Sequence, residues 1–423
     1  MKLVALADSD SYLKWAGAFV GALPADWERE LVLVQTAVAP SEAQQAAALA
    51  TSGVVADKVL RFGLTELVAA LRELAPDIVL IATRGPVARV LARTITAQPE
   101  RVVIVTGLPG ISIPATRKAL AFRRQADLFV VHSKRERLEV SEVAQEYGFE
   151  QRFALGSLPF AHRLGSGDGR DLVFAAQAIV PLERADRRRV ARLLLDAALA
   201  DPTRRVVVKL RAVAGEHQTH AEHDSYLGLF DELARGPQGL PPNLVLSTEP
   251  MARALDTAEG LVTVSSTAAI EAIAREIPVI ALDSFGVSPE LINTVFEGSG
   301  LFGGEAAVIS REFRHPEPAW LDANYFHDPA DDDWVPQLVT LVALARRGEL
   351  PVRERVVLVG GRVRLAWDRR RAFGSADRSL SGALALAIGV PLRAVVVAGR
   401  RAWRAVRGGR DDRGAGRSYL RTP

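Results

Sequence analysis

Short apolar runs alternate along the chain with segments of helical periodicity, and this alternation limits the possible folds more than any other sequence feature. In the first part of the chain the runs lie at 3–7, 31–35, 77–82, 101–107 and 127–133. Runs of this length that are rich in Val, Leu and Ile indicate strands buried on both faces, and the helices between them indicate that the strands are parallel. The sequence therefore predicts an α/β fold with helices on both sides of a sheet.

A stretch rich in Gly, Ser and Pro at 155–171 interrupts this pattern, as linkers do. A second series of apolar runs follows it, at 172–180, 205–211, 243–248, 260–266 and 277–283. We therefore predict two Rossmann-like domains, 1–160 and 170–350, that face an interdomain cleft. Ligands of such sheets bind beyond the carboxyl ends of the strands, so the cleft is the expected site.

The chain contains no cysteine, which excludes disulfides, thiolate metal sites and cysteine nucleophiles and suits a reducing cytosol. Its start, MKLVALADSD, holds only a short apolar run before Asp8. This pattern predicts a first strand and not a signal peptide. We therefore expect a cytoplasmic protein.

The last part of the chain, 351–423, is a basic tail. From Val352 to Pro423 it contains 17 Arg and 5 acidic residues, a net charge of +12; because the whole chain carries +3, residues 1–351 carry −9. An acidic body argues against a nucleic-acid partner, whereas the charge of the tail suits an anionic one.

Within the tail, 381–399 is apolar but contains Pro391 and Arg393. A membrane-spanning helix needs about 20 apolar residues without a central charge. We therefore predict a partly amphipathic helical segment that lies on the anionic inner face of the cell membrane. Packing of this segment on the protein's own domains and a true membrane span are the alternatives.

The stretch VTVSSTAAIEAIAREIPVI, at 262–280, combines a strand, a helix and a second strand. Ser265, Ser266 and Thr267 fall at the first turn of the helix, where hydroxyls either bind an anion together with the backbone amides or simply cap the helix. Glu271 follows on a helix face that is otherwise apolar, where a carboxylate needs a partner. The two hydroxyls of a sugar diol would satisfy it.

The segment IEAIAREIPVI within this stretch resembles the carboxy-domain signature of GT-B glycosyltransferases. Glu271, Pro278 and Val279 match that signature, and Glu276 takes the place of its usual glycine. The resemblance implies that Glu271 binds the ribose of a nucleotide-sugar donor and that the hydroxyls at 265–267 bind its phosphates. The Ser-Ser-Thr start also resembles a motif of bacterial sialyltransferases and capsule-polysaccharide transferases. A CMP- or UDP-sugar substrate, with no further cofactor, is what these resemblances imply.

A second group of candidate donor-binding residues follows the strand near residue 206. Lys209 and Arg211 lie at its carboxyl end, where a donor phosphate would lie. The H-P motif by which bacterial sialyltransferases hold CMP is absent, and His217 and His220 are the nearest candidates for that contact. His217, His220 and His223 recur every three residues, a spacing that drifts off one helix face, so we predict no metal site. A solvated helix face is the alternative.

Asp8 and Asp10 leave the first predicted strand at the carboxyl edge of the N-terminal domain. Each is a candidate general base for an acceptor hydroxyl, because inverting sugar transfer needs a base within hydrogen-bonding reach. Lys14 comes four residues after Asp10, so these two side chains can pair along a helix. The alternative is that Asp8 or Ser9 only caps that helix.

The segment TGLPGISIPATRKAL, at 106–120, follows another predicted strand. Gly107 and Gly110 permit a close backbone approach, and Arg84 ends the preceding strand, so we predict that these residues recognise the acceptor. Plain turn formation is the alternative. The chain has neither P-loop nor G-x-G-x-x-G spacing, which removes the best signs of nucleoside triphosphate and NAD binding.

These features predict a GT-B-type glycosyltransferase that moves a sugar from a CMP- or UDP-sugar to a cell-surface glycan or lipid-linked acceptor without a metal ion. A sugar-nucleotide 2-epimerase of the same fold and a non-catalytic scaffold of polysaccharide assembly are the alternatives.

Overall fold

The computed structural model of the protein describes residues 1–50, 52–54, 58–158, 169–210, 224–237, 239–353 and 360–391. The α/β prediction is confirmed, because these residues form two parallel sheets with helices packed on them. The first sheet has seven strands. In chain order they are β1 (Lys2–Ala7), β2 (Glu28–Val34), β3 (Leu60–Phe62), β4 (Ile78–Ala82), β5 (Val103–Gly107), β6 (Leu128–Val131) and β7 (Phe153–Leu155). The helices between them are α1 (Asp10–Gly21), α2 (Glu42–Leu49), α3 (Leu64–Leu74), α4 (Gly85–Thr96), α5 (Arg117–Arg123) and α6 (Lys134–Tyr147).

The second sheet has six strands. In chain order they are β8 (Asp171–Ala175), β9 (Val206–Lys209), β10 (Leu244–Ser247), β11 (Ala258–Thr263), β12 (Val279–Leu282) and β13 (Phe302–Gly303). Its helices, and those that follow it, are α7 (Arg184–Ala200), α8 (Tyr226–Ala234), α9 (Met251–Asp256), α10 (Ala268–Ala274), α11 (Glu305–Ile309), α12 (Pro318–Ala323), α13 (Trp334–Arg346) and α14 (Gly361–Phe373).

In both sheets the strand order reverses beside the first strand: early strands are added on one side of it and later strands on the other. The first sheet runs β3-β2-β1-β4-β5-β6-β7 and the second runs β10-β9-β8-β11-β12-β13. The connections that leave β1 and β4, and those that leave β8 and β11, therefore turn to opposite faces and open a crevice at the carboxyl edge. Each domain thus offers one position at which a ligand is expected.

Alternate residues of β1 enter two different cores. Val4 and Leu6 pack in a cluster with Leu91 of α4, whereas Ala5 packs in a cluster with Trp15 of α1, and all of these side chains are fully buried. A strand with apolar residues at both alternate positions cannot face water on either side, which is why its sequence reads as a continuous apolar run.

Helix α13 leaves the second domain and returns to the first. The amide of Leu155, at the end of β7, donates to Oδ1 of Asp333 at 2.7 Å. The next residue, Trp334, places its ring centroid 4.5 Å from that of Phe19 in α1. The residues just before and at the start of α13 therefore complete the core of the N-terminal domain.

Helix α14 also packs on the first domain, against α4. The carboxylate of Asp368 forms ion pairs with Arg89 at 3.1 Å and with Arg93 at 3.2 Å. Phe373, at the end of α14, is 1 % exposed and belongs to the core that contains Val4. The part of the tail at 361–373 therefore packs on the first domain.

The chain is helical again over 380–391. The remainder of the predicted interfacial segment, from residue 392 onward, lies outside the described residues. None of the helices in the described ranges combines the length and the apolar character that a membrane span requires.

Candidate active site between the two domains

The loops that leave the carboxyl ends of the two sheets meet each other. Nζ of Lys14, on α1, lies 2.9 Å from Oε1 of Glu271, on α10. In the loop after β5, a Cβ on Gly110 would lie 2.9 Å from Oγ1 of Thr267, at the start of α10. The predicted donor motif and two predicted segments of the N-terminal domain thus share one interface.

The start of α10 is tied to the end of β8. The backbone amide of Ser265 donates to Oε1 of Gln177 at 2.9 Å, and Nε2 of Gln177 donates to Oγ of Ser265 at 3.0 Å. This pair holds the loop after β11 against the loop after β8, at the crevice of the second sheet. The sequence motifs did not identify Gln177; its position just after β8 is the signal that could have done so.

The next two hydroxyls have different environments. Oγ of Ser266 accepts from the amide of Ala268 at 3.2 Å, so this serine caps the backbone locally. Thr267 is the N-cap residue of α10, but its side chain makes no capping hydrogen bond. Instead it lies against Gly110 of the other domain. Capping, the alternative to anion binding, therefore describes Ser266.

Glu271 is the polar exception on a buried helix. Its side chain is 19 % exposed, while its neighbours Ile270 and Ala272 are fully buried. The sequence predicted that this carboxylate needs a partner, and in the structure Lys14 is that partner. The sequence suggested Asp10 as the partner of Lys14, whereas the structure shows Lys14 in an ion pair with Glu271 across the domain boundary.

The turn after α10 has a left-handed residue, Glu276, at the position where the GT-B signature has glycine. Glu276 has φ of 58°. The amide of Glu276 donates to Ile273 O and that of Ile277 donates to Ala272 O, each at 3.0 Å. These two bonds form a Schellman motif, which glycine usually completes. In this chain the turn therefore forms with a glutamate in the left-handed position.

Lys209 ends β9 beside β8 and is 7 % exposed. Its Nζ donates to the carbonyl oxygen of Leu210. Arg211 and His217, together with His220 and His223, lie outside the described residues. The part of the chain that is described has no group of three or more His, Cys, Asp or Glu side chains arranged to hold a metal ion.

Asp8 is fully buried at the crevice of the first sheet, between the ends of β1 and β4. Its Oδ2 accepts from Nε of Arg84 at 2.8 Å and its Oδ1 accepts from the backbone amide of Arg84 at 3.1 Å. Burial raises the pKa of the Asp8 carboxyl above its ordinary value, and the charge of Arg84 opposes that rise. The structure thus brings two predicted site residues together as one ion pair, in which Asp8 is buried and Arg84 is partly exposed.

Asp10 has the opposite environment, because it is exposed at the first residue of α1. Of the two candidate bases, Asp10 is the one that solvent or an acceptor can reach. Ser9 is the N-cap residue of α1 but makes no side-chain capping bond.

Three hydrogen bonds from two arginines, which the motifs did not predict, support this edge. NH2 of Arg123 donates to the hydroxyl of Tyr12 at 2.8 Å and to the carbonyl of Thr83 at 2.9 Å. NH2 of Arg84 donates to Oγ1 of Thr36 at 3.3 Å. These bonds fix the ends of β1, β2 and β4 relative to one another.

Gly107, at the end of β5, and Gly110, in the loop that follows, allow different close contacts. A Cβ on Gly107 would lie 2.6 Å from Cζ2 of Trp15, so this glycine lets α1 approach the sheet. Gly110 has φ of 150° and lies at the domain interface. The amide of Ser112 donates to Oε1 of Glu136 at 2.9 Å, which anchors the loop to α6.

The start of α6 also binds the second half of the chain. Oε1 of Glu136, which is 1 % exposed, accepts from the hydroxyl of Tyr325 at 2.6 Å. NH2 of Arg135 donates to the carbonyl of Thr294 at 3.1 Å. The loop that carries Gly110 is therefore held by a helix that itself contacts the C-terminal half.

His132, just after β6, is a buried neutral imidazole below this interface. Its Nε2 lies 2.7 Å from Nε1 of Trp15, and its Nδ1 lies 2.7 Å from the carbonyl oxygen of Gly156. Because an indole N–H only donates, Nε2 accepts and Nδ1 donates. Burial lowers the pKa of His132, which agrees with this neutral form.

Two Rossmann-like sheets with opposed carboxyl edges define the GT-B class of fold. The chain belongs to the family described as "Putative glycosyltransferase (DUF6716)", whose model matches residues 3–341. The match covers both sheets and supports sugar transfer as the general activity. No curated protein sequence matches the chain.

Solved structures of similar fold cover most of the chain. One is the "putative UDP-N-acetylglucosamine 2-epimerase" of Listeria monocytogenes, with a TM-score of 0.54 and 13 % identity over 85 % of this chain and 99 % of that one. Another is S. aureus MnaA with UDP, which has a TM-score of 0.52 and 12 % identity and covers 85 % of this chain and 100 % of that one. A third is the UDP-GlcNAc 2-epimerase of Neisseria meningitidis bound to UDP-GlcNAc. It has a TM-score of 0.50 and 11 % identity and covers 80 % of this chain and 100 % of that one. At these identities the likeness concerns the fold alone.

Proposed function

We propose that this glycosyltransferase takes its sugar from a CMP- or UDP-activated donor and transfers it to a cell-surface glycan or a lipid-linked acceptor. The observation that carries the proposal is the position of Glu271. It is a largely buried carboxylate at the crevice of the second sheet, and its partner Lys14 belongs to the opposite domain. Both a donor and an acceptor can therefore reach the same interface.

In this proposal the second domain binds the donor. Glu271 accepts hydrogen bonds from the ribose hydroxyls. Lys209, Arg211, His217 and the hydroxyls at 265–267 surround the phosphates. Cations and hydroxyls placed in advance neutralise the charge that develops on a leaving phosphate, and this role needs no metal ion.

The first domain presents the acceptor. Its hydroxyl oxygen attacks the anomeric carbon of the donor sugar while the bond from that carbon to the phosphate oxygen breaks. The bonding electron pair leaves with the nucleotide, and the hydroxyl proton passes to a carboxylate. Asp10 is our choice for that base because it is exposed at the start of α1. Asp8 instead holds Arg84 in place.

Arg84, Gly107 and Gly110 belong to the acceptor side in this proposal. Closure of the two domains would exclude water, which otherwise hydrolyses an activated sugar. The contact between Gly110 and Thr267 supports this role, because it joins the proposed acceptor loop to the donor helix.

The 2-epimerase alternative draws support from fold likeness, since two of the similar structures above carry that name. An epimerase would use the same nucleotide site but would need no acceptor. We place the transferase on the inner face of the cell membrane as a peripheral protein, where a lipid-linked acceptor would be available.

The deciding experiment measures turnover of CMP- and UDP-sugars with and without a lipid-linked glycan acceptor. We expect nucleotide release and a glycosylated product only when the acceptor is present. Epimerised sugar nucleotide without acceptor would establish the alternative enzyme. Nucleotide binding without any turnover would indicate a scaffold.

A further inference from the structure

The outward face of the 380–391 helix is apolar. Leu380, Leu384 and Ile388 follow one another at intervals of four residues and are 83 %, 64 % and 61 % exposed. Residues three and four apart lie on one face of a helix, so these side chains form a single stripe. From 379 to 391 the chain has no charged residue. A helix that faces water normally has a polar outer face, so this stripe needs an occupant.

The inward face of the same helix fixes the orientation of the stripe. Ala385 is 4 % exposed, and a Cβ on Gly389 would lie 2.3 Å from the ring of Trp367 on α14. The glycine thus lets the helix approach α14 closely. Because Phe373 of α14 is buried in the core of the first domain, the stripe is attached to the domain that presents the acceptor.

The helical pair made by α14 and the 380–391 helix is basic. Residues 360–391 contain six Arg and two acidic residues, a net charge of +4. Both acids are nearly buried and paired: Asp368 with Arg93 and Asp377 with Arg369. The charge presented to solvent is therefore positive, as at the exposed Arg362 and Arg378.

These features identify one kind of partner. A second copy of the same surface would bring two charges of the same sign together, which is unfavourable. An anionic bilayer matches both the apolar stripe and the positive charge. We propose that the stripe of Leu380, Leu384 and Ile388 docks on an anionic membrane and sets the acceptor domain against the lipid surface.

The described helix is too short to cross a bilayer. Twelve residues at about 1.5 Å each give roughly 18 Å, against a hydrocarbon core of about 30 Å. Pro391 and Arg393, which follow the stripe in the sequence, favour a position in the interface over deeper insertion. This inference deepens the proposed peripheral location and rests on it, but it requires no particular donor.

The test is flotation of the full-length protein with vesicles of phosphatidylglycerol and phosphatidylcholine, in the absence of nucleotide sugar. We expect Leu384→Glu/Ile388→Glu to lower partitioning by about 10- to 100-fold, the equivalent of losing one buried leucine or more. Leu138→Glu is the matched control, because Leu138 is also 61 % exposed but lies on α6. It should float like the unmodified protein.

Two further measurements test the electrostatic contribution to binding: flotation with vesicles of pure phosphatidylcholine, and flotation at increasing salt concentrations. Binding should fall in both cases. A chain that ends at Ser375 keeps Phe373 and should remain folded but not float. Equal flotation of the double variant and the unmodified protein would overturn the proposal. So would a dimer in solution that the double variant converts to a monomer. Donor affinity is measured separately, so failure of the donor assignment leaves this test unaffected.

Discussion

Lys14 and Glu271 join the two domains, with their Nζ and Oε1 atoms 2.9 Å apart across a sequence separation of 257 residues. The lysine lies on the first helix of the N-terminal domain, and the glutamate lies within the segment that resembles the GT-B signature. This contact therefore joins α1 of the first domain to α10 of the second at the carboxyl edges of the two sheets.

Replacing Glu271 by Ala should weaken nucleotide-sugar binding by about 1–3 kcal/mol, the usual loss when hydrogen bonds to a charged group are removed. Calorimetric titration with CMP- and UDP-sugars measures the change. Glu312→Ala is the control, because Glu312 is an exposed glutamate of the same domain and should not affect affinity. Unchanged affinity of a folded Glu271→Ala protein would exclude the ribose role.

A charge exchange separates closure from ribose binding. Lys14→Glu places two carboxylates at the interface, so the radius of gyration from small-angle scattering should rise and kcat/KM should fall. Lys14→Glu/Glu271→Lys restores an ion pair, and the radius should return toward its original value. The pair is partly exposed, so its contribution is at most about 1 kcal/mol.

Donor affinity should stay low in the exchanged protein, because a lysine cannot accept hydrogen bonds from a ribose. Full recovery of donor affinity would show that only the ion pair matters. A Lys14→Glu protein with unchanged scattering and kinetics would show that the contact has no part in closure.

Asp10→Asn and Asp8→Asn should have different effects. Asp10→Asn should keep donor binding and lose about 10²–10⁴-fold in turnover, as the loss of a general base does. Asp8→Asn removes the charge that Arg84 pairs with inside the protein, so its main effect should be on stability, by about 1–3 kcal/mol. Steady-state kinetics and urea unfolding distinguish the two. Normal turnover by Asp10→Asn would place the base elsewhere.

Glu276→Gly should stabilise the protein by about 0.5–1 kcal/mol, because a non-glycine residue in the left-handed region is strained and glycine is not. Urea unfolding measures the gain. Glu312→Gly is a suitable comparison, since Glu312 is not among the residues of positive φ and should gain nothing. A loss of stability in Glu276→Gly would mean that the glutamate side chain contributes more than the strain costs.

Stability should fall as the pH decreases below about 6.5, the ordinary pKa of histidine. Burial lowers the pKa of His132 in the folded state, so the unfolded chain binds a proton first and unfolding is favoured as the pH falls. His132→Gln can still donate to Gly156 and accept from Trp15, but it should lack this part of the pH dependence in urea unfolding.

Much of the fold follows from apolar runs, because long buried strands must be apolar on both faces. The short strands β3, β7 and β13 were not predicted. β3 is only three residues long and its middle residue, Arg61, is exposed, so it lacks that pattern. Such strands form because a neighbouring strand supplies their hydrogen bonds, and the local sequence does not show this.

The sequence identified individual residues of the candidate site but not which of their side chains pair with each other. Each of Asp8, Arg84 and Glu271 drew attention by its position after a strand or on an apolar helix. Their partners did not follow, since the pairing of Asp8 with Arg84 depends on strand order and that of Glu271 with Lys14 depends on how the domains meet. Local spacing instead suggested Asp10 as the partner of Lys14.

The return of α13 and α14 to the first domain sets an order for the synthesis of the protein. Trp334 and Phe373 fill the core of a domain whose strands all lie before residue 156. While the ribosome is still adding the second domain, the core positions of the first domain that Trp334 and Phe373 will fill remain exposed to water. The N-terminal domain is therefore synthesised first, but its core is completed last. Until α13 and α14 have been synthesised, its incomplete core is an exposed apolar surface that a chaperone can bind.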